Sequence, residues 1–315
     1  MKYYDLPKTD LKVSEIALGC MRIANKSVEE VEELVKTALD CGINFFDHAN
    51  IYSNFASFFP FFSGKSEELF GQVLERHPEY REKMIIQTKC AIVPGKRYDF
   101  SKEYIINAVN GSLKRLHTDH VEILLLHRPD ALCDPIEVAE AFDELYVSGK
   151  VKYFGVSNHT PGQIALLQKY TKHPIIINQL QLSIVHSVMI DSGMNMNMKE
   201  DFAIDKDGGV LDYCRLNDIT IQAWSIVQAS WAEGTFLNNR HYKKLNNVLD
   251  YLSKKYNVTP ATIATAWILR HPAHIQAITG TTSPKHLIET AEAANIELTR
   301  QEWYDLYLAS GKPLP

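Results

Sequence analysis

The chain is poor in cysteine and gives it no pattern: five residues, Cys20, Cys41, Cys90, Cys133 and Cys214, an odd number with no C-x-x-C spacing. This argues against a disulfide framework or a cysteine-ligated zinc site and fits reduced thiols, as expected in the cytoplasm. Glycine and proline, 15 and 13 of 315 residues, are not enriched, so the chain is neither collagenous nor of low complexity. No apolar run approaches the roughly 20 residues of a membrane span, and no basic-apolar-small succession opens the chain as a secretory signal would. Basic charge is missing as a block or stripe. Against 38 acids, 33 lysines and arginines leave a net charge of −5, with nothing arranged to neutralise a phosphate backbone. Neither a membrane nor a nucleic acid is an expected partner.

What is present is 45% hydrophobic and 23% charged residues, enough for a large core. After an opening that reads as a hairpin (KYYDLPKTDLKVSEIALG), eight β-rich runs follow: SEIALG, INFFDH, MIIQTK, VEILLLH, VKYFGVS, PIIINQ, ITIQAW and IQAIT. Helical periods lie among them at 28–41, 66–76, 101–116, 135–148, 160–170, 208–217, 242–256 and 284–294, several opened by a capping residue, as in SVEEVEELVKTALDCG and TPGQIALLQKY. Near-continuous apolar strands between amphipathic helices imply a parallel sheet covered on its outer face, and eight such units close naturally into a barrel. The expectation is an α/β fold, one (β/α)8 TIM barrel domain over 1–315, with an N-terminal hairpin and long loops at the C-terminal face. A doubly wound sheet would call for a glycine-rich turn after its first strand, and G-x-G-x-x-G is absent.

In such a barrel, functional side chains sit at the carboxyl ends of the strands. The second run ends in Asp47 and leads to Tyr52, the third ends at Lys89 and the fourth at His127. The later runs end in Ser157-Asn158, Asn178-Gln179, Trp224-Ser225 and Thr279-Gly280-Thr281. Each has an ordinary structural explanation alone; together they form a ring of donors, acids and an aromatic at one mouth. A tyrosine, with an ordinary pKa of about 10, is a poor acid at neutral pH. An ammonium nearby is expected to lower that value, and a buried carboxylate keeps the ammonium charged and aimed. Such a phenol can protonate a carbonyl oxygen as it becomes an alkoxide, while an imidazole N–H orients the same oxygen. That is carbonyl reduction, lacking only a hydride. No serine lies in a G-x-S-x-G elbow. The pairs His117-x-x-His120 and His271-x-x-His274 lie away from the strand ends and read as surface or capping residues rather than metal ligands.

The segments FFDHANIY, QTKC, LLLHRPD, GKVKYFGVSN, INQLQ, QAWS and ITGTTSPKHLIET, in this order along nearly the whole chain, resemble the aldo-keto reductase superfamily. Within it the likeness is to a bacterial oxidoreductase group with DHA-x-IY, HRPD and a TRQEWYDLY ending. The resemblance implies a (β/α)8 barrel that binds NADPH without a dinucleotide-binding glycine motif and reduces an aldehyde or ketone, a small-molecule carbonyl. It assigns Tyr52 as proton donor, Lys89 and Asp47 as the pair that adjusts it, and His127 as the residue that orients the carbonyl. By the same likeness Ser157, Asn158 and Gln179 hold the nicotinamide carboxamide and Trp224 stacks on the ring. Ser225 and its loop clamp the pyrophosphate, and Gly280, Thr281, Thr282, Ser283, His286 and Glu289 hold the adenosine. Two departures stand out. Tyr52 is followed by Ser53 instead of glycine, and His286, beside Lys285, stands where many members carry an arginine for the 2′-phosphate. NADPH is therefore expected to be preferred only modestly, with NADH possible.

Five phenylalanines, Phe55, Phe58, Phe59, Phe61 and Phe62, crowd the loop after Tyr52 and are expected to wall the pocket or to meet neighbouring loops or a second subunit. Four of the seven methionines fall in MIDSGMNMNM, 189–198, which reads as a mobile surface loop. Oligomeric state is not legible. A second function class also follows from the resemblance, a cofactor-binding sensor or regulatory subunit with slow turnover; the intact set of four and the lack of an added interaction domain favour the enzyme.

Overall fold

The computed structural model describes residues 1–53 and 64–314. Eight parallel strands close into a barrel: β1 (Ile16–Gly19), β2 (Phe45–Asp47), β3 (Ile85–Cys90), β4 (Val121–Leu126), β5 (Val151–Ser157), β6 (Ile175–Gln181), β7 (Thr220–Trp224) and β8 (Gln276–Thr279). Each falls within the apolar run read from the sequence, or within a residue or two of it. The opening hairpin pairs Tyr3–Asp5 with Lys12–Ser14. Its Leu6 and Val13 join Ala17, Phe45, Ile123, Leu125, Ile177 and Ile278 in a cluster that fills the barrel floor. The phenylalanine-rich stretch between Tyr52 and Gly64 lies outside the described residues.

The two-residue period of a strand sends alternate side chains inward and outward, and this layers the barrel interior. Along β3, Ile85 joins the floor, Ile86 the strand–helix core, and Gln87 turns in again to Asp47. Thr88 turns out to Glu67, and Lys89 turns in. The interior therefore rises from an apolar floor through a belt of amides to a charged layer at the mouth.

Helices cover the strands where amphipathic periods were read, at Val28–Asp40, Lys65–Arg76, Lys102–Leu116, Pro135–Val147, Pro161–Tyr170, Val210–Leu216, Lys243–Tyr256 and Pro284–Ala291. Three others escaped the reading. Pro260–Leu269 is buried at every position from Thr262 to Ile268, so it has no polar face and no amphipathic signal. Arg300–Ala309 is opened by a Thr299–Glu302 capping box. The methionine stretch, expected as a surface loop, instead begins as a helix, Val188–Met194, whose Met189 is buried in the core while Met196 beyond it is exposed.

One close approach governs the packing of Lys65–Arg76 on Lys102–Leu116. A Cβ on Gly71 would overlap the Arg115 carbonyl oxygen. Beside it Glu67, wholly buried, accepts the Arg115 guanidinium through Nε at 2.9 Å and Nη2 at 2.7 Å, and the Thr88 hydroxyl at 2.6 Å. Neither backbone can retreat without breaking that ion pair. Gly71→Ala is expected to destabilise the fold by about 1–3 kcal/mol, read as a lower urea midpoint at unchanged slope.

Candidate active site

The register of the barrel brings the acid and the lysine together. Asp47 lies beside Gln87 across β2–β3, and Lys89 stands one inward step higher. Lys89 is wholly buried and uses its three ammonium hydrogens on three acceptors. These are the Asp47 carboxylate at 2.8 Å, the His48 carbonyl at 2.8 Å and the Tyr52 hydroxyl oxygen at 3.0 Å. Tyr52 reaches this point because the chain turns tightly after β2, with its N–H on the Ala49 carbonyl, while its own carbonyl accepts the Ser66 N–H at the start of the next helix. His127, one residue past β4, sits edge-on to Tyr52 with ring centroids 5.9 Å apart. The four residues thus meet at one point of the mouth.

Burial sets the protonation states. It raises the Tyr52 pKa above its ordinary value; the Lys89 charge pulls the other way and Asp47 adds to the rise. The expected lowering by the ammonium is real but outweighed, because the phenol lies in a dry site. Burial also opposes charge on Lys89, yet Asp47 and Tyr52 more than compensate and its pKa is raised. For His127, burial and then the Lys89 and Arg128 charges hold the pKa well below the ordinary value, so the ring is neutral. The arrangement presents a protonated phenol whose oxygen already accepts from Lys89, leaving its own O–H to donate into the cleft. A neutral imidazole lies alongside.

A cleft of about 1230 Å³ opens above this group. Asp47, Tyr52, His127, Ser157, Asn158, Gln179, Trp224, Ser225, Gly280, Thr281, His286 and Glu289 all line it. Of the expected residues Lys89 lies beneath it, and Thr282 and Ser283 are not on its wall: Ser283 instead caps the helix Pro284–Ala291, accepting the His286 N–H at 3.4 Å. Asn158 adopts a left-handed backbone (φ 61°), which turns the chain sharply after β5. Its amide donates to the Ser157 hydroxyl at 2.8 Å and the His127 carbonyl at 3.2 Å, and its oxygen accepts the Trp224 indole N–H at 3.3 Å. Ser225 is also left-handed (φ 59°), with its hydroxyl donating to Gln228 at 2.6 Å. The residues fit a nicotinamide dinucleotide. Hydroxyl and amide groups cluster over β5–β7, and two helices, Pro260–Leu269 and Pro284–Ala291, begin at the cleft wall, where the positive ends of their dipoles suit phosphate.

Other wall residues were not singled out from the sequence. Lys96 and Arg128, on the loops after β3 and β4, and Arg22 after β1 line the cleft without an acidic partner among the described residues; exposed cations in loops carry no period that would mark them. His48, within the quoted FFDHANIY, is buried edge-on to Phe70 at 4.4 Å, and burial, then the Lys89 charge, push its pKa down to about 3. The histidine pairs fall elsewhere. His117 ends a helix in a left-handed conformation, and His271 accepts the Ala273 N–H. Among the described residues no group of three or more histidines, cysteines or acids is placed to hold a metal.

An eight-stranded barrel with a buried lysine shared by an acid and a tyrosine at its mouth is the frame of a nicotinamide-dependent oxidoreductase. Residues 15–307 match the Aldo/keto reductase family, and the chain belongs to it. It is 34% identical to the 6-dehydroglucose reductase of Novosphingobium aromaticivorans, over 99% of this chain and 97% of that one. It is 31% identical to the oxidoreductase YdhF of Escherichia coli, over 94% and 93%. The solved structure of the thermostable aldo-keto reductase Tm1743 with the inhibitor epalrestat shares the fold, with TM-score 0.75 and 24% identity over 98% of this chain and all of that one. The protein is an NAD(P)H-dependent oxidoreductase of this family.

Proposed function

We propose that the protein is an NADPH-dependent carbonyl reductase in which Tyr52 donates the proton. The observation that carries the reading is the Lys89 ammonium bonded at once to Asp47 and to the Tyr52 oxygen. When bound, the cofactor supplies the hydride. His127, held neutral, donates an N–H to the substrate oxygen and orients it; Tyr52 gives its proton to that oxygen as negative charge develops; Lys89 stabilises the phenolate left behind. Ser157, Asn158 and Gln179 hold the carboxamide and Trp224 covers the ring. Gly280, Thr281 and His286 take the phosphate-bearing end, and Thr282 and Ser283 support it from behind the wall. Five free thiols are in keeping with a cytoplasmic setting.

The name of the relative and the donors Lys96 and Arg128 on the cleft wall favour a carbonyl rich in hydroxyl groups. The test is a panel of small aldehydes, sugar-derived aldehydes and ketones with each nicotinamide, followed by cofactor oxidation. Turnover supports the reading; tight NADPH binding with no turnover on any carbonyl would overturn it in favour of a sensor.

Cofactor choice gives a separate prediction. Lys285 is mostly exposed and lies 3.9 Å from Glu289, so part of its charge is answered within the helix. His286 offers no two-pronged donor to a 2′-phosphate. His286→Arg should raise the ratio of the NADH to NADPH dissociation constants about tenfold, since an aligned guanidinium fork adds a charge-assisted pair. An unchanged ratio by fluorescence titration would remove this position from phosphate recognition.

A further inference from the structure

Beneath the four mouth residues, the barrel holds a chain of buried amides that none of the comparisons concerns. Gln87 donates through Nε2 to Asp47 Oδ1 at 2.6 Å and to Gln222 Oε1 at 2.9 Å. Gln179 does the same from the other side, at 3.0 Å to each. Gln222 in turn donates to Gln276 Oε1 at 2.7 Å, and Gln276 to the Ser14 carbonyl at 2.7 Å, where the floor hairpin meets β1. The strand register makes this possible: Asp47 pairs with Gln87, and Gln179, Gln222 and Gln276 pair in succession across β6, β7 and β8. All four glutamines are buried.

We propose that Gln222 is a positioning residue for the reaction, the centre of a one-way amide relay that holds the Asp47 carboxylate in place under Lys89. The proposal rests on the reading of the site as a carbonyl reductase. Its direction follows from the ends. An ionised carboxylate only accepts, so Gln87 and Gln179 must turn their NH2 groups toward Asp47; each has one hydrogen left, and both converge on the Gln222 oxygen. Gln222 must then point its NH2 at Gln276, and Gln276 its NH2 at a backbone carbonyl that can only accept. No amide in the chain can reverse without placing two acceptors face to face. Gln87 even leaves its own buried Oε1 without a partner among the described residues to keep this orientation. Among the described residues Gln222 has no hydrogen bond to Lys89 or Tyr52; it acts on them through Gln87, Gln179 and Asp47, and because Gln179 also lines the cleft, the NADPH dissociation constant of each variant is measured beside its kcat.

Two substitutions separate this role from plain packing. Gln222→Leu keeps volume and removes the acceptor, freeing Gln87 and Gln179 to turn. Gln222→Glu is isosteric. Protonated, it accepts from both amides and donates O–H to Gln276, as glutamine does; ionised, it faces the Gln276 oxygen with another acceptor. The charged and titratable groups that its hydrogen-bond chain reaches are Asp47 from β2, through Gln87 and Gln179, and beyond Asp47 the Lys89 ammonium from β3 and the Tyr52 phenol, with the Cys20 thiol after β1 beside Asp47; the other end of the chain is the uncharged Ser14 carbonyl. Burial and the Asp47 charge favour the protonated acid. Its pKa is then higher folded than unfolded, so it contributes stability at acid pH that is lost as pH rises through the folded value.

The experiment measures kcat and KM from pH 5 to 8, and melting temperature over the same range, for wild type and both variants. Gln222→Leu should lower kcat about tenfold or more with KM changed less than about threefold. Gln222→Glu should recover most of that loss at acid pH and lose it again as pH rises, with its melting temperature relative to wild type falling in parallel. A folded, NADPH-binding Gln222→Leu within about twofold of the wild-type kcat would overturn the proposal. So would a Gln222→Glu whose rate and melting temperature follow wild type at every pH, a measurement that stands even if the leucine variant does not fold. A wild type inactive on every carbonyl would instead defeat the reductase reading, and the melting curves of Gln222→Glu would still report whether the amide chain is one-way.

Discussion

Tyr52→Phe is expected to reduce carbonyl turnover by about 10²–10⁴-fold, the usual scale for a general acid, while the NADPH dissociation constant changes less than about threefold. The ring stays and only the hydroxyl goes. That hydroxyl has its oxygen already bonded, to the Lys89 ammonium at 3.0 Å, and its proton free to leave toward the cleft. His127 cannot take its place. Burial and the nearby cations keep its ring neutral, so it can donate an N–H as a hydrogen bond but holds no surplus proton to transfer. The loss should appear in kcat and in kcat/KM alike, since the missing contact forms only as the alkoxide develops. The measurement is single-turnover cofactor oxidation, which isolates the chemical step from release. Hydride transfer at the wild-type rate in Tyr52→Phe would remove the phenol from the mechanism.

The barrel was legible because each of its strands is a short apolar run and most of its helices carry a polar face. It failed where burial is complete: Pro260–Leu269 has apolar or small residues all round, and a period that depends on contrast vanishes. The site was legible for a different reason. A barrel places strand ends at one mouth, so Asp47, Lys89 and His127 could be brought together by counting strands alone. What the count could not give is depth. Gln87 and Gln222 lie mid-strand and Gln276 opens β8, where a glutamine in a sequence looks like any other interior polar residue, and only the register makes them one chain. Nor could it weigh two opposed effects on one phenol. The ammonium's pull on Tyr52 was expected, but its defeat by burial depends on how dry the closed site is.

Lys89→Met should be nearly as damaging to turnover as loss of the phenol, by about 10²-fold or more, and for a cause that can be isolated. The ammonium is bonded to the oxygen that becomes a phenolate once the proton has left, and its charge lowers the Tyr52 pKa against the rise caused by burial. Without it the phenol is a weaker acid, so any residual rate should show its alkaline limb displaced to higher pH. The same substitution strands the Asp47 carboxylate, which is 2% exposed, with a charge and no cation, and leaving one partner of a buried pair alone costs about 3–5 kcal/mol. A rate loss could therefore be mistaken for a damaged fold. Adding Asp47→Asn to Lys89→Met removes the stranded charge, so the double variant should regain much of the lost melting temperature and none of the lost activity. Stability and catalysis then part company in one pair of measurements. If activity returns together with stability in the double variant, Lys89 serves the fold and its contact with Tyr52 is incidental to proton transfer.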